Sequence, residues 1–178
     1  MFDTLAQIVG SDQRKVTALE NPTILSSVYY SEVLDFYRST KPERDVIRTT
    51  WHQNALAELK ERDLIFVDPD NGVIVPSAED GPKSNKYVLP SELADYYRQG
   101  SSVVYYQHKA RLPDEFYIQQ HRQLMDSGTF PGVGGTGLKF MSTSQRFYFF
   151  FCSQNTSPPP PPVLDGCWPP PGGDFSAS

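Results

Sequence analysis

The stretch that most constrains the fold runs from residue 55 to residue 89, where one apolar periodicity gives way to another. Ala55, Leu56 and Leu59 are spaced as on one side of a helix, and the pattern breaks at Asp63. A short apolar run follows at residues 64–67, and after a polar excursion a second run appears at residues 87–89. This order predicts a helix, a strand, a long hairpin and another strand.

The helix should begin well upstream of Ala55. Residues 43–62 carry apolar side chains at successive i+4 spacings, namely Ile47, Trp51, Ala55 and Leu59. The pattern predicts either one long helix or two helices joined near the β-branched pair Thr49 and Thr50. We expect the core of this region to contain Trp51, Leu56, Leu59, Leu64 and Ile65.

A β-hairpin is predicted directly after this helix. Residues 68–72 have strong turn chemistry and separate the strand-like run 64–67 from the strand-like run 73–75. Residues 86–89 then either add a third strand or replace the second one.

Four further helices are predicted from apolar spacing and from proline and glycine at their boundaries. They cover residues 2–9, 28–37, 90–100 and 112–128. Residues 103–106 are rich in strand formers, although they can also belong to a helix.

The character of the chain changes near Gly128. A glycine-rich stretch is followed by an almost wholly aromatic run at residues 146–152 and by five prolines at residues 158–162. We therefore predict a globular domain over residues 1–128 and a flexible tail over residues 129–178. The aromatic run is a strand added to a partner, an anchor buried against the domain, or a segment that does not represent a natural folded terminus.

Charge and cysteine content limit the classes of function. The formal net charge is -5 and the pI is about 5.1, which opposes a general coating of nucleic acid. Cys152 and Cys167 provide no disulfide framework, so a reducing compartment is expected. The sequence shows neither a secretory signal nor a membrane-spanning run, which predicts an intracellular protein, cytoplasmic or nuclear, with no membrane partner.

The pattern over residues 24–99 resembles the second half of a winged helix-turn-helix domain. The residues that carry this resemblance are Leu56, Leu59, Leu64, Ile65, Tyr87 and Leu89. Asp63 stands where such domains commonly have glycine, which is tolerable because aspartate can adopt left-handed geometry. The resemblance implies an α+β, mainly helical fold with a hairpin wing, to which this chain adds C-terminal helices.

The same resemblance implies DNA binding through the helix near residues 49–62. The candidate DNA-binding residues are Arg48, His52, Gln53 and Asn54 on the helix, with Lys83 and Lys86 on the wing. Acidic residues balance the basic ones on both elements, so phosphates would not be attracted. A protein–protein interaction module or subunit of a larger assembly is therefore the preferred hypothesis, and a sequence-specific transcriptional regulator is the alternative.

Tyrosines supply the expected interface. The candidate partner-binding residues are Tyr96, Tyr97, Tyr105, Tyr106 and Tyr117. Tyrosine is favoured at interfaces because it combines an apolar ring with a polar edge. Mixed with nearby basic residues, these rings can also clamp single-stranded nucleic acid, or they can simply belong to the core. We expect them to bind a protein partner or a second copy of the chain.

No pattern predicts catalysis or a cofactor. Gly132, Gly134 and Gly137 match G-x-G-x-x-G but lack the preceding strand and the following helix that nucleotide binding needs. The three histidines are far apart and no cysteine has ligand spacing, so we expect no metal site. Asp114 and Glu115 fit the first turn of a helix better than an acid/base pair.

Overall fold

The computed structural model describes residues 27–141 and 145–153, which form one layer of helices packed on a four-stranded sheet. The helices are α1 (Lys41–Glu58), α2 (Pro90–Arg98) and α3 (Asp114–Asp126). The strands are β1 (Leu64–Val67), β2 (Ser102–His108), β3 (Gly134–Met141) and β4 (Gln145–Cys152). The α+β class is confirmed, whereas the mainly helical description is corrected because a complete sheet forms the second layer.

The sheet is mixed, with strand order β1-β2-β4-β3. β1 pairs with β2 in parallel, and β4 pairs antiparallel with both β2 and β3. A parallel pair needs a long crossover connection, which here includes the irregular segment 68–89 and α2. The strand that completes the sheet, β4, follows both of its neighbours in the chain.

Aromatic side chains dominate the side of the sheet that faces the helices. Phe147, Phe149 and Phe151 of β4 are all nearly inaccessible. His121 of α3 stacks on Phe149 with ring centroids 4.5 Å apart, and Phe130 stacks on Phe151 at 4.1 Å. Aromatic pairs add stability beyond the contribution of the area that they bury. Since both of these pairs include a ring of β4, this strand is the centre of the core.

α1 is a single helix that continues through Thr49 and Thr50 without a break. At its start, the backbone N–H and the hydroxyl of Thr40 both donate to Glu43 Oε2 at 2.7 Å, and Pro42 suits the first turn. Glu61, rather than Asp63, takes the positive φ of 63° that turns the chain toward β1.

The predicted hairpin is wrong, because β1 pairs with β2 and not with residues 73–75. The side chain of Gln107 in β2 holds the intervening segment: Val73 N–H donates to its Oε1 at 3.0 Å, and its Nε2 donates to the Asn71 carbonyl at 3.1 Å. Val73 instead forms an isolated parallel bridge with Val88. The hairpin wing is thereby corrected, and the winged-helix resemblance as a whole stays a prediction.

The boundary predicted near Gly128 is also corrected, because β3 and β4 belong to the sheet. The glycines that suggested flexibility permit close packing. A Cβ on Gly135 would lie 2.2 Å from Met125 Sδ, and one on Gly137 would lie 2.8 Å from a ring carbon of Phe149. The rest of the predicted tail, residues 154–178, lies outside the described residues.

The helix predicted over residues 28–37 does not form. Its carbonyl groups bond to side chains of other segments: Trp51 Nε1–H donates to the Glu32 carbonyl at 2.7 Å, and Asn85 Nδ2 donates to the Leu34 carbonyl at 3.0 Å. The helices predicted over residues 90–100 and 112–128 are confirmed as α2 and α3, and residues 103–106 are strand. The helix predicted over residues 2–9 lies outside the described residues.

Candidate interaction surface

Strand alternation gives the sheet two different faces. Successive side chains point to opposite sides, so β2 and β4 send one set of residues toward the helices and the other set away from them. We call the second side the outer face. It consists of Leu64, Phe66, Ser102, Val104, Tyr106, His108, Thr136, Leu138, Phe140, Arg146, Tyr148, Phe150 and Cys152.

The register aligns aromatic residues of the outer face in rows across the sheet. Tyr148 lies between Tyr106 and Leu138 in one row, and Phe66, Val104 and Phe150 form the next. The Tyr148 ring is 5.9 Å from the Tyr106 ring and 6.2 Å from the Phe66 ring, measured between centroids. The rings therefore form a continuous platform over β1, β2 and β4.

The outer face is exposed at its two edge strands and more covered at its centre. Leu64 and Phe66 of β1 and Phe140 of β3 are 59%, 55% and 52% exposed, whereas Val104 of β2 is 6% exposed and the rings of Tyr106, Tyr148 and Phe150 are half-buried. The sheet residues of the hydrophobic core all belong to the helix-facing set. Exposed apolar side chains gathered on one face of a sheet often mark a site of interaction.

The charged groups at this surface are few and of both signs. His108 and Arg146 are paired in register at one end of the face, where Tyr106 Oη lies 3.2 Å from His108 Nδ1. Asp68 follows β1 at the same end. Burial raises the pKa of the Asp68 carboxyl, Asp70 adds to that rise, and Arg146 opposes it. The surface is therefore an apolar platform with a mixed-charge border.

The structure corrects most of the tyrosine interface expected from the sequence. Tyr96, Tyr97, Tyr105 and Tyr117 are buried in the core. Internal partners make this burial possible: Tyr97 Oη donates to the Pro131 carbonyl at 3.2 Å, and Tyr117 Oη accepts the Ala110 N–H at 2.8 Å. Of the five tyrosines, Tyr106 alone contributes to the outer face.

Several outer-face residues were not identified from the sequence, among them Phe66, Leu138, Phe140, Tyr148 and Phe150. Leu64 was expected in the core but is exposed, because Ile65 takes the helix-facing position of β1. A period-of-two pattern would have separated the two faces, but residues 147–151 are aromatic at every position. The period-of-two pattern is therefore absent from β4, and the sequence does not distinguish the two faces of this strand.

The candidate DNA-binding residues do not form one basic surface. Arg48 is buried, and its guanidinium donates to both carboxylate oxygens of Glu92 and to the carbonyls of Ser84 and Tyr87. With these bonds made, Arg48 has no orientation in which it can read a base, so its expected role is corrected.

The other candidate DNA-binding residues are divided between buried and exposed positions. His52 is buried, with Nε2 3.1 Å from Asp95 Oδ2, which also removes it from a reading surface. Gln53, Asn54 and Lys83 are exposed. Lys86 is exposed but forms an ion pair with Asp70 at 3.1 Å. The candidate set is therefore split between two buried side chains and four exposed ones, of which Lys83 and Lys86 carry the positive charge.

Other kinds of site find no support in the described residues. Within residues 27–141 and 145–153, no group of three or more histidine, cysteine or acidic side chains is placed to hold a metal ion. No helix in that part of the chain combines the length and apolar character needed to cross a bilayer. Comparison with known proteins finds no match to the chain among family models, curated proteins or solved structures.

Proposed function

We propose that this protein is a non-catalytic protein–protein interaction module, a subunit of a larger intracellular assembly, which binds its partner through the outer face. The observation that carries the proposal is that one face of the sheet consists of apolar and aromatic side chains, which are exposed at Leu64, Phe66 and Phe140 and half-buried at Tyr106, Tyr148 and Phe150. Aromatic rings are efficient anchors because they bury a large area while losing little rotational freedom.

The dimensions of the platform favour a helical partner element. Four strands about 4.8 Å apart, with about seven residues rising about 3.3 Å each, cover roughly 15 by 20 Å. An amphipathic helix is about 10 Å wide, so three to four turns of one helix would cover this area. We infer that the partner presents an amphipathic helix whose apolar stripe lies across the rings of Phe66, Tyr148 and Phe150.

The charge of the surface favours protein over nucleic acid. Binding to phosphates draws on clustered lysine and arginine, whereas this face offers Arg146 and His108 with Asp68 and Asp70 close to them. The exposed aliphatic side chain of Leu64 adds area that suits an apolar partner and not a phosphate backbone.

The test compares two double variants that remove similar apolar groups from opposite sides of the protein. Leu64→Ser/Phe66→Ser alters the outer face, and Val46→Ser/Phe116→Ser alters exposed positions of α1 and α3. A partner captured from native extract by the unmodified chain is purified, and its Kd for each variant is measured by titration calorimetry. Because each lost side chain removes about 1.5–3 kcal/mol of burial, we expect the outer-face variant to bind at least about tenfold more weakly.

Four results would contradict the proposal. Equal affinity for both double variants would remove the outer face from binding. A loss of folding stability in Leu64→Ser/Phe66→Ser as large as that of a core substitution would show that the chain covers this face itself. Tight, sequence-selective duplex binding that depends on Gln53 and Asn54 would establish the DNA-binding alternative, and single-strand binding through Tyr148 would establish a nucleic-acid platform.

A further inference from the structure

The free edge of β3 is a second feature of the sheet that lacks a partner. β3 is eight residues long and occupies the end of the strand order, with β4 on one side and, in the described part of the chain, nothing on the other. Every second residue of an edge strand directs its N–H and C=O groups away from the sheet. Such an edge is a template for pairing with another strand.

The two edges of the sheet differ in their protection. β1 has only four residues and lies between Asp63 and Asp68, so antiparallel pairing of two copies would place like charges near each other. β3 contains no proline, and its one charged side chain, Lys139, is engaged by Asp114. With no proline and with its single charge paired, β3 has little of the protection that usually prevents edge pairing.

We propose that β3 pairs antiparallel with β3 of a second copy of this chain, so that two sheets join into one of eight strands. A two-fold axis between identical strands requires antiparallel pairing and gives the same contacts to both copies. The proposal concerns the edge of the sheet and goes beyond partner binding by the outer face.

The sequence of β3 is compatible with self-pairing in two registers. If the axis passes beside Gly137, Thr136 lies opposite Leu138 of the second copy, and Lys139 lies opposite its Gly135. If the axis passes beside Leu138, the two copies of Leu138 lie opposite each other, and Lys139 lies opposite Gly137. In both registers the lysines avoid each other, and apolar contacts form on the outer face.

The experiment uses charge exchange in the full chain. Thr136→Lys/Leu138→Lys places like charges opposite each other in both registers, and Thr136→Glu/Leu138→Glu does the same with the opposite sign. Sedimentation equilibrium of the unmodified chain should show a monomer–dimer equilibrium. We expect roughly a tenfold or greater weakening of the dimer for each double variant alone, and recovery when the two are mixed.

A matched control and a second measurement make the outcome decisive. Phe66→Lys adds one charge of the same sign to the outer face but on β1, and it should leave the dimer intact. Hydrogen exchange of the unmodified chain should show amide protection in β3 that rises with protein concentration, whatever the stability of the variants. A monomer at all concentrations, a dimer insensitive to the β3 lysines, or equal weakening by Phe66→Lys would overturn the proposal.

Partner binding and self-pairing can fail separately in these experiments. Leu64→Ser/Phe66→Ser alters the outer face without changing β3. Thr136 and Leu138 belong to the outer face as well as to β3, so the charge exchange reports on self-pairing through the recovery of the dimer when the two variants are mixed.

Discussion

Arg48 of α1 and Glu92 of α2 form a two-point ion pair inside the protein, with Arg48 Nε 2.6 Å from Glu92 Oε1 and Arg48 Nη2 2.7 Å from Glu92 Oε2. Both side chains are almost fully buried. Because Arg48 also donates to the carbonyls of Ser84 and Tyr87, this pair joins the two helices to the irregular segment between β1 and α2.

We expect Glu92→Ala to lower the free energy of unfolding by about 3–5 kcal/mol, because it leaves a buried guanidinium without its counter-charge. The control is Arg98→Ala, which breaks the exposed pair with Asp95 and should change stability by less than about 1 kcal/mol. Urea unfolding followed by circular dichroism measures both. Equal effects would mean that the Arg48–Glu92 pair is not buried in solution.

Stability should fall in mild acid because of His121. Burial lowers the pKa of the His121 imidazole from 6.5 to about 4, so protons bind preferentially to the unfolded chain. The contribution of neutral His121 is fully present above about pH 6.5 and is lost as the pH falls toward about 4. At about 1.4 kcal/mol per pKa unit, the loss amounts to about 3 kcal/mol.

The measurement is the urea midpoint at a series of pH values for the unmodified chain and for His121→Leu, whose profile should be flatter over this range. His108→Gln, which alters an exposed histidine, should keep the original profile. A profile unchanged by His121→Leu would argue against burial of the imidazole.

Three glycines of β3 should respond differently to alanine. Gly135→Ala and Gly137→Ala bring a methyl group against Met125 and Phe149, and each should cost about 1–3 kcal/mol by overpacking. Gly134→Ala meets nothing within 4 Å and should be neutral or slightly stabilising, since alanine restricts the unfolded chain more than glycine does. Thermal unfolding compares the three, and equal effects would contradict the packing of β3 against α3 and β4.

The two faces of the sheet should also differ in their response to truncation of a ring. Phe151→Ala removes a completely buried side chain and should cost about 3–5 kcal/mol. Phe66→Ala removes a ring that is more than half exposed and should cost less than about 1 kcal/mol. Denaturant unfolding of both variants tests the assignment, and a larger effect at Phe66 would reverse the faces.

The helices were predictable because their signals are local. Thr40, Pro42 and Glu43 mark the start of α1, and Pro90 and Glu92 mark the start of α2, all within a few residues of chain. Tertiary contacts did not override these signals. Residues 28–37 show where local signals fail. Their apolar spacing predicted a helix, but side chains from distant segments bond to carbonyl groups of this stretch.

The sheet and the interaction surface were not predictable to the same degree, because they depend on contacts between distant residues. Nothing local to Leu64 indicates that β1 pairs with β2 and not with the adjacent run at residues 73–75. The exposure of Leu64 follows only from that pairing. In β4, Tyr148 and Phe149 are both aromatic, and only the completed sheet separates the half-buried ring of the outer face from the buried ring of the core.

The position of β4 between two strands that precede it has a consequence for folding during synthesis. Until residue 152 has emerged from the ribosome, β2 and β3 have no common neighbour, and β2 and β3 each expose edges that are paired in the finished sheet. Closing the sheet late requires long-range contacts and is therefore slow. The nascent chain should depend on protection by chaperones in that interval, and a protein shortened before Gln145 should aggregate instead of remaining a smaller folded domain.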